Sequence, residues 1–129
     1  FELTEKINDR PVFDALYDAV PDDLLQVEMD TCWVYYGGYD PVEYIGRYRG
    51  RLPIIHLKDM ARDEQQKAIT VELGKGEVQL QAITDAAIEA GVDWVVVEQD
   101  FSSNPPIESI ETSMKWLQQY AAQGGNIHV

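Results

Sequence analysis

The sequence predicts an α/β fold built on a parallel sheet. Two observations carry this. Short apolar runs, LLQVEMD at 24–30, LPIIHLK at 52–58 and DWVVVEQ at 93–99, alternate with amphipathic stretches of helical period. Helix-starting and helix-ending residues stand between them. Three such strands, with a fourth stub at FEL, are too few to close a barrel of eight, which takes about 250 residues. The 129 residues therefore amount to a single partial domain, 1–129: half of such a barrel, or a small open α/β sheet.

The elements follow in order. FEL, at the start, reads as the end of a strand. Pro11 stands at a first helical position, and Val12, Phe13, Leu16, Tyr17 and Val20 continue at helical spacing, giving a helix over 11–20. Pro21 and two aspartates end it. The strand at 24–30 follows. Asp40, Pro41 and Glu43 then supply a cap, a first-turn proline and a capping-box acid, with Val42, Ile45 and Tyr48 on one face and Gly50 closing the helix. The strand at 52–58 leads into a polar stretch with Gly74 and Gly76. A helix runs from Leu80 to Ala90, stopped by Gly91. The strand at 93–99 is apolar for several residues running, which suits a strand covered on both faces. Pro105 and Pro106 open the last helix, with Ile107, Ile110, Met114 and Leu117 as its buried stripe.

Composition narrows the function. Hydrophobic residues make up 45% of the chain, enough for a core, and the net charge is −13. So acidic a surface repels phosphate backbones and argues against nucleic-acid binding. The single cysteine, Cys32, excludes an internal disulfide and fits a reducing cytoplasm. No apolar run approaches membrane-spanning length. The chain starts with Phe, so the expectation is a processed N-terminus or a piece of something longer.

Strand parity then sorts the ionisable residues. Leu25, Val27 and Met29 oppose Gln26, Glu28 and Asp30. Ile55 and Leu57 oppose Ile54, His56 and Lys58. Val95 and Val97 oppose Trp94, Val96, Glu98 and Asp100. Each strand thus has an apolar face for helices and a second face that turns polar at its C-terminal end, at Asp30, His56 and Glu98. In α/β folds that end is where ligands bind. Two carboxylates and an imidazole there outline a divalent-metal site, with Mn²⁺ or Mg²⁺ first and Zn²⁺ or Co²⁺ as alternatives. A fourth protein ligand would be usual, and none is evident downstream.

Each residue has a plainer reading. A lone strand-end histidine is often structural, and Asp30 could cap a turn. Glu98, directly after WVVV, is harder to set aside, because burial of a carboxylate costs free energy unless a cation or hydrogen bonds meet it. Lys58 faces the same side as His56. It could hold a substrate oxygen, or pair with Glu28 or Asp100. Glu28, one step deeper than Asp30, is expected to pair inside the core. Trp33 and Tyr35, in the loop after Asp30, could wall a sugar pocket or simply pack. Asp59 reads as a loop cap. Glu72, Gly74 and Gly76 form a loop on the same rim, a weak phosphate signal. His128 reads as tail.

The joint order of D-T, H-L-K-D-M, E-L-G-x-G and V-E-Q-D resembles the sugar phosphate isomerase/epimerase family of xylose-isomerase-like TIM barrels. The resemblance runs through VEMDTCWVYYGGYDPVEYIGRYRGRLPIIHLKDM, VELGKGEVQLQAITDAAIEAGVDWVVVEQD and SIETSMKWLQ, nearly the whole chain. It implies parallel βα repeats forming the C-terminal half of a (β/α)₈ barrel, from the fifth strand's end to the eighth helix. It implies a divalent metal held by Asp30, His56 and Glu98, with Glu98 also the catalytic acid/base. The family's remaining ligand would lie on a strand ahead of FEL. Lys58 and Trp33 would meet substrate, a sugar or sugar phosphate.

The implied reaction is isomerisation or epimerisation by proton transfer through an enediolate. Two alternatives stand beside it. One is an inactive half-barrel that serves as an assembly module, self-associating through open sheet edges. The other is a lyase resembling a keto-inositol dehydratase. A zinc-cluster enzyme acting on DNA would need more histidines than the two present.

Overall fold

The computed structural model describes residues 1–129. Its centre is a three-stranded parallel sheet: β3 (Glu28–Asp30), β4 (Ile54–Leu57) and β7 (Trp94–Val97), in the order β3-β4-β7. Two short antiparallel hairpins lie outside it. One is β1 (Lys6–Ile7) with β2 (Arg10–Pro11), the other β5 (Asp59–Arg62) with β6 (Ala68–Val71). The helices are α1 (Val12–Ala19), α2 (Thr31–Tyr36), α3 (Pro41–Arg47), α4 (Leu80–Ala90) and α5 (Pro106–Ala122). No helix is long and apolar enough to cross a membrane.

The register places Asp30 beside His56 and His56 beside Val96. The apolar parity set forms the core side: Met29, Ile55 and Leu57 are fully buried among Val27, Tyr44, Ile45, Leu80, Ile83 and Ala87. The opposite face is open. Trp94 is 69% and Val96 42% exposed, so β7, expected to be covered on both faces, is covered on one.

Local chemistry explains the helix starts and stops. Asp40 caps α3 by accepting from the Val42 N–H at 2.8 Å, and Pro41 takes the first position. Glu43 pairs with Arg47 rather than closing a capping box. Gly91 ends α4 in the left-handed conformation at φ 78°. Arg51 ties the end of α1 to the approach to β3, donating to the carbonyls of Tyr17, Val20 and Leu25. Asp14 is buried beneath Tyr44, Tyr48 and Arg47, all three donating to its carboxylate.

Several expectations are corrected. FEL is a turn, with the Phe1 carbonyl accepting from Thr4 and Glu5. The hairpin after it turns on Asn8 and Asp9, both at positive φ, where these side chains are tolerated. The strand expected over 24–30 is regular only from Glu28, because Leu24 and Leu25 are drawn into a turn onto Pro21. The residues after Asp30 form α2 rather than a loop. In α5 the buried stripe is Ser109, Ser113, Leu117 and Tyr120, while Ile107 and Ile110 are exposed. Hydrogen bonds set that phase: Ser109 donates to Glu72, and Ser113 accepts from the Leu73 N–H.

Candidate metal centre

The three strand ends bring Asp30, His56 and Glu98 together. One ligand atom from each lies within 4.8 Å of the others. Asp30 and His56 are neighbours in register, and Glu98 stands one pleat beyond Val96 on the same face. Parallel pairing with alternation is enough to converge them.

Asp30 works with both oxygens. Oδ1 caps α2 by accepting from the Trp33 N–H at 3.1 Å, the turn-capping reading weighed above, and Oδ2 meets Lys58 Nζ at 2.8 Å. Lys58 is fully buried. Its ammonium also lies 2.9 Å from Asp100 and 3.5 Å from Glu98, with the Trp33 ring 5.3 Å away. Burial draws the Lys58 pKa down, but the hydrogen bonds and charges of Asp30 and Asp100 outweigh it, and the net shift is upward. The pairing with Asp100 weighed for Lys58 is therefore present. Nearby Cys32 is sealed from solvent, and its thiol is pushed up to about 12 by burial first and by Asp30 next.

His56 lies between two carboxylates. Nδ1 contacts Glu98 Oε2, and Nε2 lies 2.6 Å from Glu28 Oε1. Glu28 does not pair inside the core as expected. Its side chain is 59% exposed, because the sheet face at its depth is open. Glu98 uses Oε2 toward His56 and Lys58 and leaves Oε1 unengaged. Trp33 stands at the rim, 40% exposed, edge-on to Tyr36. Tyr35 points away toward Glu77.

The neighbouring loop is held by Asp59. Its buried carboxylate accepts from the N–H groups of Met60, Gly74, Gly76 and Val78 at 2.8–3.1 Å. The Gly-x-Gly amides thus serve a carboxylate of the chain itself, and the phosphate reading of that loop lapses. Glu72 accepts from Ser109 and Asn104, which lower its pKa. His128 lies in the irregular tail.

The donor set suits a divalent cation. Two carboxylates and an imidazole are the ligands such ions take, and Lys58 shows that Asp30 and Glu98 already share a positive charge. Sequence reasoning weighed Asp100 as a partner of Lys58 but did not place Glu28 against His56. Parity put Glu28 on the right face; the openness of that face was the missing signal.

A family model described as xylose isomerase-like TIM barrel matches residues 5–120. The chain belongs to this family. Its fold is accordingly a part of an α/β barrel, with the parallel strands that the sequence predicts. An inosose dehydratase from Geobacillus kaustophilus (strain HTA426) is 30% identical over 122 residues, covering 83% of this chain and 39% of the relative. One from Clostridium tetani (strain Massachusetts / E88) is 27% identical over 127 residues, covering 84% and 42%. The chain thus spans about two fifths of the curated relatives it matches. A sugar phosphate isomerase/epimerase structure from Parabacteroides distasonis ATCC 8503 superposes with TM-score 0.70 at 24% identity, covering 88% of this chain and 38% of that one. A xylose isomerase domain protein from Planctomyces limnophilus gives 0.69 at 18%, covering 90% and 44%. These two likenesses speak for the fold alone.

Proposed function

We propose that this chain carries one side of the active site of a divalent-metal-dependent isomerase or epimerase acting on a sugar or sugar phosphate. The observation that carries the reading is the convergence of Asp30, His56 and Glu98 at the C-terminal ends of three consecutive parallel strands, in a chain of this family. These three residues would hold the metal, Mn²⁺ or Mg²⁺ first. When bound, the metal supplies Lewis-acid polarisation of the substrate's carbonyl and the adjacent hydroxyl. Glu98 moves the proton at the neighbouring carbon: Oε1 has no partner within the chain, while Oε2 lies beside the Lys58 ammonium. Trp33 offers its exposed indole to the apolar face of a sugar ring. Lys58, expected to hold a substrate oxygen, would act there only by releasing Asp30 or Asp100, since its ammonium is buried against both.

A second reading has its own support. The curated relatives are named inosose dehydratases. On a keto-inositol, the same proton removal beside a carbonyl, followed by loss of the next hydroxyl as water, would be a lyase reaction.

The test is metal content after loading with Mn²⁺, followed by assay. One equivalent is expected in the wild type, with loss of metal and of turnover in Glu98→Gln and His56→Ala. Deuterium uptake from D₂O into recovered sugars supports isomerase chemistry; a product lighter by one water from keto-inositol supports the lyase. Equal metal in all three chains sinks the site. A metal-free chain that dimerises favours the assembly-module reading, with the free edges of β3 and β7 as the pairing surfaces.

A further inference from the structure

We propose that Glu28 is a positioning residue for His56. Its carboxylate accepts the Nε2 hydrogen, so that Nδ1, without a hydrogen, is the nitrogen turned toward Asp30 and Glu98. The inference rests on the metal reading above.

The strand register produces this arrangement. Glu28 is level with Ile54, one pleat below the Asp30–His56 pair, and on the same face. It therefore reaches the ring from below, while Glu98 meets it from the C-terminal side. The two contacts fall on opposite ring nitrogens: Nε2 to Glu28 at 2.6 Å, and Nδ1 to Glu98. The other side chains on that part of the face, Ile54, Trp94 and Val96, carry no hydrogen-bond acceptor. With Nδ1 given to the metal that Asp30 and Glu98 share, Glu28 is thus the acceptor that takes the Nε2 hydrogen and sets how the ring is turned.

Such an anchor has a definite use. A neutral imidazole has two tautomers, and only one leaves a lone pair on Nδ1. Ligating histidines characteristically hand their second N–H to a carboxylate or carbonyl, and loss of that partner costs about 10- to 100-fold in metal affinity. Glu28 is more than half exposed, and exposed pairs add little to stability. Replacing it should therefore alter the ring and the metal without unfolding the chain.

The experiment uses ¹⁵N-histidine-labelled chain without metal and carrying Glu98→Ala, which removes the acceptor facing Nδ1, at about pH 9.5, where ordinary imidazole is neutral. The chain has two histidines, so a His128→Asn variant assigns the signals. In that background His56 should show Nε2 protonated and Nδ1 bare. Adding Glu28→Leu should give the tautomer mixture of exposed His128. Adding Glu28→Gln, whose amide oxygen still accepts, should hold the parent pattern. In chains that keep Glu98, Mn²⁺ titration by calorimetry should then show at least about a 10-fold weaker Kd for Glu28→Leu and a near-wild-type value for Glu28→Gln. An unchanged His56 tautomer in Glu28→Leu, or Glu28→Gln behaving like Glu28→Leu, overturns the proposal. If the wild type binds no Mn²⁺, the metal reading fails, and the nitrogen spectra still judge Glu28.

Discussion

Replacing Lys58 by Met should destabilise this chain more than any single change at Asp30, His56, Glu98 or Asp100. Met keeps the length of the stem and removes the charge. The lysine side chain is 1% exposed, and its ammonium lies 2.8 Å from Asp30 and 2.9 Å from Asp100. Its loss leaves Asp30, 16% exposed, facing Glu98 with no cation between them. Breaking a buried pair from one side costs about 3–5 kcal/mol. Asp100 and Glu98 are 45% and 38% exposed and can rehydrate, which puts the cost near the lower end, about 3 kcal/mol. For a chain of this size that is a fall in Tm of roughly 10 °C. Asp100→Asn, which removes one exposed carboxylate and keeps an acceptor, should cost about 1 kcal/mol or less. Urea unfolding of both variants and of the double variant gives the coupling. If Lys58→Met lies within about 0.5 kcal/mol of wild type, a size typical of a neutral surface change, the ion network is not holding the strand ends.

Two further outcomes follow from groups away from the centre. Asp59→Asn turns an NH₂ onto two of the four amides that its carboxylate serves. At about 1–3 kcal/mol for each buried donor left unmet, urea unfolding should show a loss of about 3 kcal/mol or more. A loss under about 1 kcal/mol would mean the clasp is dispensable. Stability should also fall with rising pH. Burial, then the Asp14 charge, pushes Tyr44 up to about 12; burial, then an Asp14 hydrogen bond, moves Tyr48 upward; burial raises Cys32 to about 12. Lys58 shifts upward as well. Each raised value favours the protonated group in the fold. That stability is whole below the unfolded values of about 8.5–10.4 and is lost as pH rises toward the folded ones. Chemical denaturation from pH 7 to 11 should show it, with a shallower fall in Tyr44→Phe. A level profile refutes the assignment.

The parts of this molecule legible in the sequence are those where one residue type has one local job. Asp40–Pro41 begins a helix and Gly91 ends one, and parity alone turned Asp30, His56 and Glu98 to one face. What escaped depends on partners far away in the chain. Ser109 and Ser113 are buried because Glu72 and Leu73 meet them, so the stripe of α5 is partly polar and hydrophobic periodicity misphases it. The β5–β6 hairpin turns on Asp63, whose side chain accepts from Gln65 and Lys67, with Gln66 at φ 63°; no Asn-Gly or Asp-Gly pair announces it. Glu28 and Lys58 exchanged expected surroundings: the carboxylate is exposed and the ammonium buried. Alternation states which face a residue takes, and the depth of that face depends on what else covers it.

The Asp59 clasp has a consequence for how this barrel segment tolerates change in length. By tying residues 59 and 60 to Gly74, Gly76 and Val78, it closes the excursion through β5 and β6 at its base, next to the strand that bears His56. Residues inserted at the 63–67 tip would enlarge a ring already shut. Each doubling of such a loop costs only about 0.6 kcal/mol, and none of that cost is transmitted as a displacement of the strand end. The hairpin is thus a place where relatives of different length can diverge while the register of Asp30, His56 and Glu98 stays fixed.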